Sequence, residues 1–269
     1  MFRERQNKFG QDEIIGHVEY LHGFYSYNLR NERDIIIWLP PSYQSSNKNY
    51  PVLYMPDGQN LFSPHTAYIG YDWRVDETLT KLIDKNEIEE IIVVGIYNHL
   101  DRLDEYNYFT KKGKLYAGFI IKELKKYIDS HYRTKSDARN TAVMGSSLGG
   151  LNAFQLAWFF PDLFGKAACL SNSFWVDERR IFKIFNGPDG FSETQKIYID
   201  CGTNEKKLIK DNRMMCRILK EKGFGKILQC YFEKGGNHSE IDWAKRIHIP
   251  LKYLFGIKNY KKPAFLKKN

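Results

Sequence analysis

Cysteine is sparse in this chain: Cys169, Cys201, Cys216 and Cys230 are the whole complement. No two form a C-x-x-C pair or a metal-ligand spacing, which excludes a zinc ribbon, a thioredoxin-like motif and the dense disulfide framework of a small secreted domain. Three lie in apolar runs and read as small buried hydrophobes, so all four are expected to be free thiols in a reducing compartment. Long apolar runs are also missing. Nothing approaches the roughly eighteen uninterrupted apolar residues that a membrane-spanning helix needs. The first residues, Met1-Phe2-Arg3-Glu4-Arg5-Gln6, carry charge and no apolar stretch, so they do not read as a secretory signal, and a cytoplasmic location is expected. There is no zinc-finger spacing, no RNP aromatic pattern and no basic region leading into heptads, so no nucleic-acid partner is expected. No repeat, low-complexity block or linker divides the chain, and residues 1–269 read as a single domain.

What is present is an ordinary globular composition. Hydrophobic residues make up 42% and charged residues 27%, which argues against disorder. A chain of 269 residues buries a sizeable core without staples. The net charge is +9, and part of the excess sits in a basic C-terminal tail, residues 256–269, at Lys258, Lys261, Lys262, Lys267 and Lys268. Such a tail reads as solvated, with an anionic partner the alternative. Oligomeric state is left open.

Hydrophobic periodicity gives the architecture. Ile14–Tyr20 and Asp34–Leu39 read as strands, the second ended by Pro40-Pro41. Val52–Met55, Ile91–Ile96, Thr141–Met144, Lys166–Leu170, Ile197–Asp200 and Ile227–Phe232 are short apolar runs, as strands covered on both faces would be. Between them, helices are predicted over Trp73–Ile83, Leu115–Ile128, Leu148–Phe159, Lys206–Lys222 and Glu240–Phe255. Strands alternating with helices imply βαβ units. The predicted fold is α/β, a three-layer domain with a mostly parallel central sheet and an antiparallel N-terminal edge. In such sheets a ligand sits beyond the carboxyl ends of the strands.

One motif lies at such an end. Gly145-Ser146-Ser147-Leu148-Gly149 matches G-x-S-x-G, follows a predicted strand at once and opens a predicted helix at once. A nucleophile elbow requires that context, because its serine sits on a strained strand-to-helix turn. Ser147 is then the nucleophile, and the Leu148 amide faces a developing oxyanion from the helix N-terminus. Ser146 falls at the x position and reads as packing. A serine needs a base, and of the two histidines beyond Ser147, His238 lies in a strand-end loop, Lys234-Gly235-Gly236-Asn237-His238, whereas His248 lies within the last predicted helix. The acid that orients the base follows the strand at 197–200. Asp200 ends that strand and Glu205 lies in the loop beyond it, and the residues alone do not separate them.

Several further segments, in order, carry a resemblance. Trp38-Leu39-Pro40-Pro41-Ser42-Tyr43, Tyr54-Met55-Pro56-Asp57-Gly58-Gln59-Asn60-Leu61-Phe62, Gly145–Leu151, Phe160-Pro161-Asp162-Leu163-Phe164, Ser171-Asn172-Ser173-Phe174-Trp175 and Gly235–Glu240 with Trp243 and Arg246 together resemble the putative esterases of the α/β-hydrolase fold. That group includes esterase D, ferric-enterobactin esterases, and feruloyl and acetyl-xylan esterases, and the likeness spans about Arg33 to Phe255. Pro56 stands where a histidine is commoner. The resemblance implies a serine esterase that forms an acyl-enzyme on a small-molecule ester, without metal or organic cofactor. It favours Glu205 as the acid and adds the Gln59 amide to the oxyanion hole. It places Arg102, in Arg102-Leu103-Asp104-Glu105-Tyr106, at the site rim and Trp175 at the substrate pocket. An acyltransferase or thioesterase on the same triad, such as an S-formylglutathione hydrolase-like enzyme, and a non-catalytic binding module of the same fold are the alternatives.

Overall fold

A computed structural model describes residues 14–186 and 190–257. The charged N-terminal hexapeptide and the lysine run beyond 257 lie outside the described residues. The strands are β1 (His17–Ser26), β2 (Asn31–Leu39), β3 (Val52–Pro56), β4 (Ile92–Ile96), β5 (Thr141–Ser146), β6 (Lys166–Leu170), β7 (Lys196–Gly202) and β8 (Leu228–Glu233). They form one sheet in the order β1-β2-β4-β3-β5-β6-β7-β8. β1 pairs antiparallel with β2, and β2 antiparallel with β4; every later pairing is parallel. The antiparallel edge and parallel remainder are as the sequence pattern implied.

The helices are α1 (Val75–Asp84), α2 (Arg102–Glu105), α3 (Lys111–Gly118), α4 (Lys125–His131), α5 (Leu148–Phe159), a short kinked α6 (Val176–Arg179), α7 (Leu208–Glu221), α8 (Glu240–Arg246) and α9 (His248–Phe255). They cover both faces of the sheet. β2 shows the division: Ile35, Ile37 and Leu39 join one core with Tyr116, Phe154, Trp158 and Met215, whereas Ile36 and Trp38 join the other with Leu79, Trp243, Leu251 and Leu254. Because neither face of the central strands meets water, β3, β4, β5 and β6 are buried at every position, and their sequences run apolar without alternation.

Two predicted helices and the reading of the cysteines differ. The helix expected over 115–128 is α3 joined to α4 through a π segment, Phe119–Leu124. The final helix divides at Ile247 into α8 and α9, because Pro250 has no N–H to offer the carbonyl four residues back. The third difference concerns cysteine: Cys216 on α7 and Cys230 on β8 form a disulfide, their Cα atoms 6.5 Å apart. This corrects the expectation of four free thiols. A sequence separation of 14 carries no sign of pairing. Packing of α7 on β8 brings the two Cα atoms within bridging distance. Cys169 and Cys201 are free and buried. Among the described residues, no helix is long and apolar enough to cross a membrane.

Candidate active site

β5 ends at Ser146 and α5 begins at Leu148, leaving Ser147 alone to make the turn. Its backbone sits at φ 55°, ψ −119°, where a side chain is strained by about 1–3 kcal/mol. Backbone bonds hold it there: its N–H donates to the Leu170 carbonyl at 2.9 Å, and its own carbonyl accepts from Leu151 and Ser173 at 3.1 and 3.0 Å. The turn closes tightly because of Gly145, where a Cβ would lie 2.6 Å from the Gly149 backbone. Leu148, the first residue of α5, has no intrahelical acceptor for its N–H.

Three loops at the strand ends bring the remaining parts together. His238 Nε2 lies 3.1 Å from Ser147 Oγ, and its Nδ1 lies 2.8 Å from Glu205 Oε2. The acid loop and the histidine loop touch at Gly202, where a Cβ would stand 2.2 Å from the Gly236 carbonyl oxygen. The second oxygen of Glu205 accepts from Ser171 Oγ at 2.8 Å and from the Gly202 amide at 2.7 Å. Burial raises the Glu205 carboxyl, but the hydrogen bonds from His238, Ser171 and Gly202 outweigh it and hold the group below its ordinary range.

The two candidate acids therefore part company. Asp200 accepts from Arg246 Nε and Nη2, at 3.1 and 3.2 Å, and from Tyr198 Oη at 3.2 Å. Burial keeps its carboxyl above the ordinary range despite Arg246. Arg246 also donates to Ser171 Oγ at 2.8 Å, and Trp243 Nε1 does so at 3.0 Å. Asp200 is thus linked to the Glu205 carboxylate through Arg246 and Ser171.

Gln59 lies in a one-turn 3-10 helix, Gly58–Asn60, entered from Asp57 at φ 61°. Asp57 is gripped from several sides. Arg102 Nε and Nη2 each donate to it at 2.6 Å, Asn98 Nδ2 donates at 2.7 Å, and the Tyr106 hydroxyl donates at 3.3 Å while accepting the Asp57 N–H at 3.1 Å. Arg102 thus commits both Nε and Nη2 to Asp57.

Ser147, His238, Gln59 and Arg102 all line one cleft of about 560 Å³, with Tyr68, Asn98, Glu240 and Trp243. Its lining mixes polar groups with the rings of Tyr68 and Trp243 and the side chain of Ile69. Burial raises the Glu240 carboxyl above its ordinary range. Ser146, read as packing, is 5% exposed yet also reaches the cleft wall. Trp175 does not line it. The preceding Phe174 turns into the core against Phe154, and Trp175 is left 52% exposed outside. Among the described residues, two groups have metal-ligand reach: His99, Asp101 and Glu105, and Asp72, Asp76 and Glu77. Neither includes a residue of the cleft. Glu105 is bound to Arg33 at 2.8 Å, and Glu77 to Arg74 at 2.9 Å.

Sequence reasoning missed the roles of Ser171 and Ser173. The segment Ser171-Asn172-Ser173 stood out only as a strand end, and nothing in its composition marks contact with residues 205 and 147. It also missed that Asp57 anchors the Gln59 turn.

Over 258 residues the chain is 25% identical to the "Uncharacterized protein YbbA" of Bacillus subtilis, covering 88% of this chain and 98% of that protein. It is 24% identical over 225 residues to an endo-1,4-beta-xylanase/feruloyl esterase of Xylanibacter ruminicola, spanning 81% of this chain but only 29% of that longer protein. Among solved structures, a ferulic acid esterase superposes with TM-score 0.73 at 23% identity, over 89% of this chain and 98% of the other. The enterobactin esterase of Shigella flexneri, with enterobactin, superposes with TM-score 0.74 at 20% identity, over 91% of this chain and 60% of the other. These structural likenesses establish the α/β-hydrolase fold. The family described as Putative esterase matches residues 26–248, which take in the elbow, the acid loop and the histidine loop, and the chain belongs to that family.

Proposed function

We propose that this protein is a serine esterase that hydrolyses compact carboxylic esters through a covalent acyl-enzyme on Ser147. The observation that carries the reading is the unbroken relay from Ser147 Oγ to His238 Nε2 and from His238 Nδ1 to Glu205, at 3.1 and 2.8 Å, opening on the cleft. Glu205 holds the imidazole with its proton on Nδ1, leaving Nε2 free to accept from serine. As Ser147 Oγ attacks the ester carbonyl, His238 takes its proton. The Leu148 and Gln59 amides receive the oxyanion. His238 then protonates the departing alcohol, and water repeats the sequence on the acyl-enzyme.

The substrate is a small to medium ester with an aromatic or anionic part. Tyr68 and Trp243 offer rings at the cleft, and the net charge of +9 attracts anions. Relatives whose names specify feruloyl or enterobactin esters are in keeping with an aromatic part. The test is fluorophosphonate labelling with peptide mapping, together with turnover of short-chain aryl esters. Label is expected on Ser147, and Ser147→Ala is expected to lower turnover by about 10⁴-fold with folding intact. A Ser147→Ala variant that keeps more than about a tenth of the activity overturns the reading.

A further inference from the structure

We propose that Ser173 is a second hydroxyl acting directly on the nucleophile oxygen, and that its contribution falls mainly on the deacylation half of the reaction. This rests on the triad reading above. Ser173 Oγ lies 3.1 Å from Ser147 Oγ, the same distance as His238 Nε2 on its other side. Ser173 is 2% exposed, and among the described residues its hydroxyl has no other hydrogen-bond partner. Ser147 has one hydrogen to give. With that hydrogen directed at His238, the Ser173 hydroxyl must be the donor and Ser147 Oγ the acceptor.

The contact is built into the fold. The Ser173 N–H donates to the Ser147 carbonyl at 3.0 Å. The neighbouring Asn172 donates to the Cys169 carbonyl at 2.9 Å and to Asn212 Oδ1 at 2.8 Å, while Asn212 donates back to the Asn172 carbonyl at 3.1 Å. This buried amide pair ties the segment to α7. Phe174 is fully buried on the far side. Ser173 therefore has little freedom to leave the nucleophile.

A donor at this position has unequal effects on the two half-reactions. In acylation, Oγ forms a bond to the ester carbon and passes its proton to His238. The hydrogen bond from Ser173 is already made to the Ser147 hydroxyl of the free enzyme, so it is carried into the attack with little net gain. In deacylation, water adds to the acyl carbon and gives its proton to His238. The tetrahedral intermediate then collapses: the carbon–Oγ bond breaks, its electron pair goes to Oγ, and His238 returns the proton there. In the acyl-enzyme Oγ is an ester oxygen and a poor acceptor, so the Ser173 hydrogen bond strengthens only as the carbon–Oγ bond breaks, and its gain falls on this step.

The experiment is rapid mixing with p-nitrophenyl acetate, read as nitrophenolate release and, after acid quench, as the acylated fraction by intact mass. Ser173→Ala is expected to slow deacylation by about tenfold, from loss of a hydrogen bond to a developing charge, and to change acylation by less than about threefold. The acylated fraction at steady state rises, and kcat and KM fall together. Ser173→Cys, nearly the same size but a weaker donor, falls between wild type and Ser173→Ala and controls for altered packing. Equal loss in both half-reactions means that Ser173 merely shapes the turn, and loss in neither means that the hydroxyl is idle; either result overturns the proposal. If the wild type forms no acyl adduct on Ser147, the esterase reading itself fails and Ser173 falls with it. A normal wild-type adduct with unaltered partition in the variants sinks the Ser173 proposal alone.

Discussion

Glu205→Gln is the sharpest test of how the relay is wired, because an amide cannot satisfy both sides of that site. One Glu205 oxygen faces His238 Nδ1 at 2.8 Å, and the other accepts two donors, Ser171 Oγ and the Gly202 amide, at 2.8 and 2.7 Å. Glutamine has one acceptor oxygen and one donor nitrogen. If its oxygen keeps the Gly202 amide, its NH₂ points at His238 Nδ1 and selects the tautomer with hydrogen on Nε2, which cannot accept the serine proton. If its oxygen keeps His238, its NH₂ confronts the Gly202 N–H, donor against donor. The backbone amide cannot rotate away, so the first arrangement prevails. The expected loss in kcat is about 10⁴-fold, the order seen when an orienting carboxylate becomes an amide, or about 5 kcal/mol of barrier. Asp200→Asn gives the contrast. It weakens the neutralisation of Arg246, which is almost wholly buried, and should lower stability by about 3 kcal/mol while kcat falls less than about tenfold. Steady-state turnover of an aryl acetate and thermal unfolding of both variants measure the two effects. If Asp200→Asn loses more kcat than Glu205→Gln, the wiring inferred here is refuted.

Three other outcomes are expected. Because the Arg102 fork is committed to Asp57 at 2.6 Å, Arg102→Ala should lower kcat/KM by about 10- to 100-fold through the loosened Gln59 turn, for neutral and anionic aryl esters alike. A loss confined to anionic esters would show that Arg102 binds substrate instead. Thiol titration of the denatured, non-reduced protein should find two cysteines, and Cys216→Ser should destabilise by about 3 kcal/mol, as expected for a bond closing a loop of about fifteen residues; four titrating thiols would exclude the bond. Burial, reinforced by Glu77, pushes the Asp76 carboxyl up to about 9. The folded protein therefore holds a proton that the unfolded chain releases near about pH 4. That stabilisation is full below the unfolded value and declines as pH rises to about 9. Asp76→Asn should flatten the dependence of Tm on pH across that window, and an unchanged slope would show that Asp76 is not its source.

Much of the site was legible because its chemistry depends on local order. A G-x-S-x-G between an apolar strand and a helix can hardly be anything but a sharp turn, and the positive φ of Ser147 is the strain such a turn imposes. His238 was legible for a similar reason, as a histidine in a glycine-rich loop at a strand end. The choice between Asp200 and Glu205 was not. Both follow β7, and their roles depend on which one meets Arg246 from α8 and which one meets His238. Arg102 stood out in the sequence, but its partner Asp57 lies 45 residues earlier. Trp175 failed as a pocket wall because a single backbone step decides which of two adjacent aromatics turns inward.

The sequence by itself determined the alternation of strands and helices, the parallel sheet with its antiparallel edge, and the position of Ser147 and His238 at the strand ends. Periodicity and turn chemistry act over a few residues, and those features are local. Tertiary structure alone decided the Cys216–Cys230 bond, the division of labour between the two carboxylates, the capture of Arg102 by Asp57, and the approach of Ser173 to Ser147 across 26 residues of chain. Each of these depends on which loops the sheet order β3-β5-β6-β7-β8 sets side by side, and pairing between distant strands is a property of the closed core rather than of any segment within it.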